Sequence, residues 1–218
     1  MLEYTDAFYS PINDDLHAFR IEAEIAGVPI ISRSVESFLR SLLRIKEPEI
    51  ILEIGAAIGY SAAVFAHACA NSIVISCERD LEMSKRAREN ISALKLEDRV
   101  RIIEGDYIDL DLKRSVAESG IDFERADFLF IDAAKGQYKK FWDKSMPFMR
   151  EESIIVCDNI LQRGATASDD FLLGRRFKTG AHRMREFLKY ISDDKRVETV
   201  VLPLGDGISV SRVLKTGK

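Results

Sequence analysis

The chain has 218 residues, enough for one well-buried domain and few for two. With 46% hydrophobic and 31% charged residues it reads as a globular chain, which excludes a disordered or fibrous one. A formal net charge of -4 argues against a protein that coats nucleic acid by bulk charge, and leaves room for a local basic patch.

The N-terminal MLEYTDAFYS is polar and lacks the pattern of a secretory leader. The most apolar stretch, residues 50–70, is broken by Glu53, Ser61 and His67, so no membrane span and no membrane partner are expected. Cys69, Cys77 and Cys157 are odd in number and lack metal-type spacing. Cys77 and Cys157 sit in apolar runs as reduced core thiols, so a cytoplasmic location is expected.

Apolar residues at helical spacing, Leu16, Phe19, Ile21 and Ile25, predict a first helix. Val35, Phe38, Leu39 and Leu42 predict a second, capped by Ser32 or Ser34, with Gly27-Val28-Pro29 reversing the chain between them. From Pro48 onward, short apolar runs at 50–54, 73–78, 100–104, 127–132 and 153–158 read as strands. Helical patterns at 61–70, 81–94, 112–119 and 138–149 separate them. Strand and helix alternating in this way is the pattern of a parallel sheet covered on both faces. A further helix near 181–191 precedes strands at 198–203 and 208–214. Gly205-Asp206-Gly207 makes those two an antiparallel hairpin. The expected fold class is α/β, as one domain over 1–218, with a helical cap at 1–47 and a Rossmann-like core at 48–218.

Glu53-Ile54-Gly55-Ala56-Ala57-Ile58-Gly59 sits where the first strand turns into a helix. Gly55 permits close backbone approach to a ligand. Ala57 stands where a dinucleotide fingerprint has its middle glycine, which counts against pyrophosphate binding, and Glu53 suits a cationic ligand. Glu78 closes the second strand, where a carboxylate can accept from ribose hydroxyls, and Gly105-Asp106 closes the third, where it can border an adenine. Together these favour an adenosyl ligand without phosphates.

Asp132 ends the fourth strand, before Ala133-Ala134-Lys135, and Asp158-Asn159 end the fifth. Neighbouring strand ends of a parallel sheet form its ligand crevice. Two carboxylates and an amide oxygen make an all-oxygen set suited to Mg²⁺ or another hard divalent cation. Taken singly, each of these residues is equally a turn former or helix cap.

The segments 52–61, Phe130-Ile131-Asp132-Ala133-Ala134-Lys135 and Asp158-Asn159 resemble the metal-dependent O-methyltransferases of the catechol and caffeoyl-CoA type, from about Val28 to the C-terminus. The resemblance implies a Rossmann-like S-adenosylmethionine (SAM) methyltransferase fold with strand order 3-2-1-4-5-7-6. It implies a metal held by Asp132, Asp158 and Asn159, and Lys135 as the catalytic residue near the acceptor hydroxyl. It also implies that Val28, Glu53, Gly55, Ser61, Glu78, Asp106 and Asp132 border the cofactor, and that the chain pairs as a homodimer. A divalent cation would acidify and orient the hydroxyl, and Lys135 would take its proton.

Within that family, Gly136-Gln137-Tyr138, and Ile160-Leu161 followed by Arg163-Gly164, are most similar to bacterial tRNA 5-hydroxyuridine O-methyltransferases, which make 5-methoxyuridine at the wobble position. The 5-hydroxyl and the 4-carbonyl of that base are vicinal oxygens, able to chelate one metal as a catechol does. Residues 162–189 carry seven basic side chains, among them Arg163, Arg175, Arg176 and Lys178, against three acidic ones. The segment 159–180 is long and polar for a connector, so it reads as a lid or binding loop whose cations hold tRNA phosphates. The alternative acceptor is a small catechol-like or phenolic hydroxyl.

Overall fold

The computed structural model describes residues 7–168 and 175–215, without the side chains of 175–177. The chain divides into two compact units, Met1–Glu124 and Arg125–Lys218.

In the first unit, Asn13 opens helix α1 (Asp14–Ile25) by accepting from the Leu16 amide at 2.8 Å. The helix stops in a Schellman turn. Gly27 is left-handed at φ 66°, its amide bonds the Glu24 carbonyl, and the Val28 amide bonds that of Ala23. Ser32, one of the two predicted caps, opens α2 (Arg33–Lys46). Then come β1 (Ile50–Ile54), α3 (Tyr60–Ala68), β2 (Ile73–Glu78), α4 (Leu81–Ala93), β3 (Val100–Glu104) and α5 (Leu112–Glu118). All three strands fall where their apolar runs predict, and β2 pairs in parallel with both neighbours. Every residue from Tyr60 to Ala66 is buried, which is why this helix reads as alanine-rich rather than amphipathic. Gly59 makes its entry possible. At φ 82° it carries no side chain where a Cβ would stand 3.3 Å from that of Ala87.

The second unit holds β4 (Ala126–Ile131), a 3₁₀ turn (Lys135–Gln137), α6 (Tyr138–Ser145), a second 3₁₀ turn (Met146–Phe148), β5 (Met149–Cys157), α7 (Arg175–Asp193), β6 (Val197–Leu202) and β7 (Ile208–Val213). β4 is buried along its whole length. It pairs in parallel with β5, which pairs antiparallel with β7, and β7 pairs antiparallel with β6, giving the expected hairpin. The strand order of the seven-stranded sheet is 3-2-1-4-5-7-6, as the resemblance implied.

Three boundaries differ from the sequence expectation. The helix expected over 138–149 leaves α geometry at Met146, because Pro147 offers no amide to continue the ladder. β5 begins at Met149 rather than at 153. Its register against β4 shifts between Ala126 and Phe128, and Glu152 turns left-handed at φ 65°, so the charged stretch 150–152 is an irregularity inside a strand rather than a turn before one. α7 begins at Arg175 rather than at 181, because Gly180 lies inside the helix instead of ahead of it. Among the described residues no helix is long and apolar enough to cross a membrane, and all three cysteines are free thiols.

Candidate active site

In the first unit the carboxylates at the ends of β1 and β2 have distinct jobs. Glu53 is 0% exposed and accepts from the Ser61 hydroxyl at 2.5 Å and from the Ser76 hydroxyl. It locks the start of α3 to β2 through a buried carboxyl group. Glu78 reaches back over the turn after β1. One oxygen accepts from the Ala57 amide at 2.8 Å, the other from the Asp80 amide at 2.9 Å. Ala57 is left-handed at φ 45°, a conformation costing a non-glycine residue about 1 kcal/mol, so Glu78 clamps a strained turn. Gly55, at φ 101°, bonds the Cys77 carbonyl at 2.9 Å. Glu53, Gly55, Ser61 and Glu78 are thus drawn together around one loop. Asp106 is partly exposed, caps its own turn by accepting from the Ile108 amide at 3.0 Å, and faces Arg79 at 3.9 Å. Val28 is half-buried at the end of the α1 turn.

A buried ionic network next to this loop has no signature in the sequence. Arg20 on α1 and Glu36 on α2 are 2% and 1% exposed and meet at 2.6 Å. Tyr60, the first residue of α3, donates to the same Glu36 oxygen at 2.7 Å and accepts from Arg20 Nε at 3.0 Å. Tyr9 donates to the other Glu36 oxygen at 2.9 Å, and Arg20 also reaches the Ile31 carbonyl at 2.9 Å. Burial and the Glu36 charge push the Tyr60 hydroxyl far above its ordinary range, so it stands as a donor. On an amphipathic helix, Arg20 and Glu36 look like solvated charges. Only the tertiary packing shows them inside.

In the second unit Asp132 follows β4 and Asp158 follows β5. The Asn159 side-chain amide donates to Asp132 Oδ1 at 2.8 Å, and the Asn159 main-chain amide donates to Asp158 Oδ1 at 2.6 Å. Asp158 is 3% exposed. Burial first, then the neighbouring Asp132 charge, pushes its carboxyl well above the usual carboxylate range, and burial raises that of Asp132 too. Tyr138, fully enclosed, donates to the Asp158 carbonyl at 2.8 Å and fixes the end of β5 from beneath. Asn159 itself is left-handed at φ 58°, which asparagine tolerates better than most residues. Among the described residues there is no cluster of three or more His, Cys, Asp or Glu side chains suited to a metal ion. Two crowded carboxylates and an amide that can turn its oxygen toward them nevertheless fit a hard cation with open positions left over.

Lys135 Nζ stands 3.8 Å from Asp206 Oδ2. The sequence marks Asp206 only as turn chemistry. In the structure it also accepts from the Arg163 amide, while its carbonyl accepts from that of Leu161 at 2.8 Å, so the β6–β7 turn carries the loop after β5. Gly207 is left-handed at φ 84°, and a Cβ there would collide with the Leu161 side chain. Of the segment expected as a lid or binding loop, 160–168 is partly packed, and 169–174 lie outside the described residues. Gln162 and Thr166 are buried, and Arg185 holds the Thr166 and Ala165 carbonyls at 2.8 and 2.9 Å. Arg185 is therefore committed to backbone. Arg163 and Lys178 are exposed. The side chains of Arg175 and Arg176 lie outside the described residues, although both positions begin α7.

The O-methyltransferase family profile matches residues 7–214. The chain is similar to O-methyltransferase imqG of Aspergillus flavus, 31% identical over 152 residues, which is 69% of this chain and 60% of that protein. It is similar to the catechol O-methyltransferase of Niastella koreensis, 32% identical over 148 residues, which is 66% of this chain and 65% of the relative. The matched stretch thus spans less than two thirds of either relative's length. Among solved structures it resembles the Bacillus cereus O-methyltransferase in complex with SAH, with TM-score 0.78, 25% identity, and 97% and 96% of the two chains covered. By its sequence over residues 7–214 and by its fold, the chain belongs to the O-methyltransferase family.

Proposed function

We propose that the protein is a SAM-dependent O-methyltransferase assisted by a divalent cation, and that its acceptor is 5-hydroxyuridine in tRNA, methylated at the wobble position to 5-methoxyuridine in the cytoplasm. The observation that carries the chemical part is the pair of carboxyls, Asp158 buried and raised by the charge of half-buried Asp132, with the Asn159 amide beside them. Such a pair is uncomfortable alone and suited to a cation. When bound, a Mg²⁺-like ion acidifies a hydroxyl and orients it together with a vicinal oxygen. Lys135 is the catalytic residue, holding the hydroxyl proton on Nζ, with Asp206 positioning that nitrogen. On the cofactor side, the Glu53 charge favours a sulfonium, and Glu78 keeps lone pairs for ribose hydroxyls while it clamps the turn. Gly55 gives the cofactor access to backbone, Ser61 positions Glu53, and Val28 and Asp106 border the ligand. Exposed Arg163 and Lys178, with Arg175 and Arg176, supply cations for RNA phosphates. A homodimer is part of the same proposal.

Similarity to a catechol O-methyltransferase favours a second acceptor, a catechol-like ring, which offers the same pair of vicinal oxygens. Nucleoside analysis of tRNA from a deletion strain separates the two. Loss of 5-methoxyuridine with accumulation of 5-hydroxyuridine is expected. An unchanged nucleoside profile would sink the tRNA assignment and leave the small phenolic ring.

A further inference from the structure

A groove of about 950 Å³ opens beside Lys135, between the first 3₁₀ turn with the start of α6 on one side and α7 on the other. Its charged lining is Lys135, Lys139, Lys140 and Arg183 against Glu186 alone. The cations differ in how far they are engaged. Lys139 pairs with Asp143 at 2.6 Å and lies over the Tyr190 ring at 4.0 Å, while Glu186 sits 3.3 Å from His182. Lys140 and Arg183 have no hydrogen-bond or ion-pair partner among the described residues, and both are exposed. The Arg183 guanidinium nevertheless has a defined place. It crosses the face of Gly136, where a Cβ would come within 2.8 Å of it, so the glycine leaves room for a cation next to Lys135.

Two unengaged cations lining one groove from separate elements, in a space larger than one aromatic ring requires, ask for a ligand with spaced anionic groups. We propose that this groove grips phosphate groups of an acceptor that extends beyond the ring being methylated. With the proposed tRNA acceptor, on which this inference rests, these are backbone phosphates flanking the modified base. Lys140 and Arg183 bind them, and Tyr190 holds Lys139 in line as a third cation. No chemistry occurs at Lys140 and Arg183. They supply binding energy beyond the Lys135 end of the groove, and so set which acceptors are used efficiently.

The test compares two acceptors with the full-length protein: a stem-loop RNA carrying 5-hydroxyuridine, and free 5-hydroxyuridine nucleoside. In the K140A/R183A double variant, KM for the stem-loop should rise on the order of tenfold to a hundredfold at low salt, with the nucleoside's kcat/KM unchanged. The slope of log KM against log salt should flatten by roughly 0.7 for each phosphate the variant no longer grips. The charge-keeping K140R/R183K variant should recover most of the loss. Equal effects on both acceptors, or an unchanged stem-loop KM, would overturn the groove assignment while leaving the tRNA acceptor intact. A wild-type protein that methylates a catechol but neither uridine substrate overturns the acceptor and the groove with it. A phosphorylated phenol preferred over its unphosphorylated form, and weakened by the same double variant, would move the phosphates from RNA to a small molecule and overturn the RNA assignment.

Discussion

Asp158 carries a charge that the folded chain resists. Burial and the Asp132 carboxylate raise its carboxyl, so the unfolded chain releases that proton at lower pH than the folded one does. The fold is therefore favoured below the ordinary carboxylate range, and this contribution is lost as pH rises through the raised value. In chelator, the wild-type thermal midpoint should fall between mildly acidic and mildly alkaline pH. Asp158→Asn should flatten that slope, raise the midpoint at alkaline pH, and abolish turnover. A variant that is both inactive and less stable in chelator at alkaline pH would contradict this electrostatic account. Lys135→Met should lower kcat by roughly a hundredfold or more, within the range a lost proton acceptor usually costs, with SAM binding retained in calorimetry. Asp132, Asp158 and Asn159 could be singled out from the sequence, because strand ends of an alternating α/β pattern are where ligands gather, whereas Lys135 was singled out by the family resemblance alone. The service Asp206 renders them was not legible: a Gly-Asp-Gly turn carries no signal that its acid reaches 3.8 Å from a lysine seventy-one positions earlier.

At the scale of elements, the turn between β1 and α3 is over-determined. Glu78 holds it from β2, Glu53 with Ser61 from β1, and Arg20 with Glu36 holds Tyr60 from the N-terminal helices. Glu36→Gln removes the charge facing a buried arginine and should cost about 3–5 kcal/mol in denaturant unfolding. Tyr60→Phe, which keeps the ring and leaves the Arg20–Glu36 pair, should cost less, about 1–3 kcal/mol. If the two are equal, Tyr60 rather than the ion pair is the keystone. Strand positions were readable from apolar runs bounded by polar turns, as β1, β2 and β3 show. The start of α7 was not, because Gly180 reads as punctuation. In the fold that glycine admits Gln162, whose side-chain amide donates to its carbonyl at 3.2 Å. Close approach by a residue eighteen positions away leaves no local trace in the sequence.

The whole chain is acidic, yet one groove of the second unit is lined by four cations against a single acid, so charge there is sorted rather than averaged. Folding and acceptor binding should consequently respond differently to salt: stem-loop affinity falls steeply from about 50 to about 200 mM salt while the thermal midpoint moves little. Parallel shifts in both would deny that sorting any functional meaning. All three cysteines are free, and burial pushes the Cys157 thiol up to about 12. Adding a thiol reductant should leave both activity and thermal midpoint unchanged.

The clasp of Glu78 on the Ala57 and Asp80 amides has a kinetic consequence. A loop already pinned at Ala57 by a carboxylate that is itself anchored on the Asp80 amide has little left to order when its ligand arrives, so most of the entropy of shaping it is spent during folding. Cofactor capture should then follow a single exponential whose rate grows linearly with concentration, with no plateau from a preceding rearrangement. In Glu78→Gln, one amide loses its carboxylate acceptor and the loop loosens. The same traces should bend toward a ceiling as the turn becomes something the ligand has to wait for.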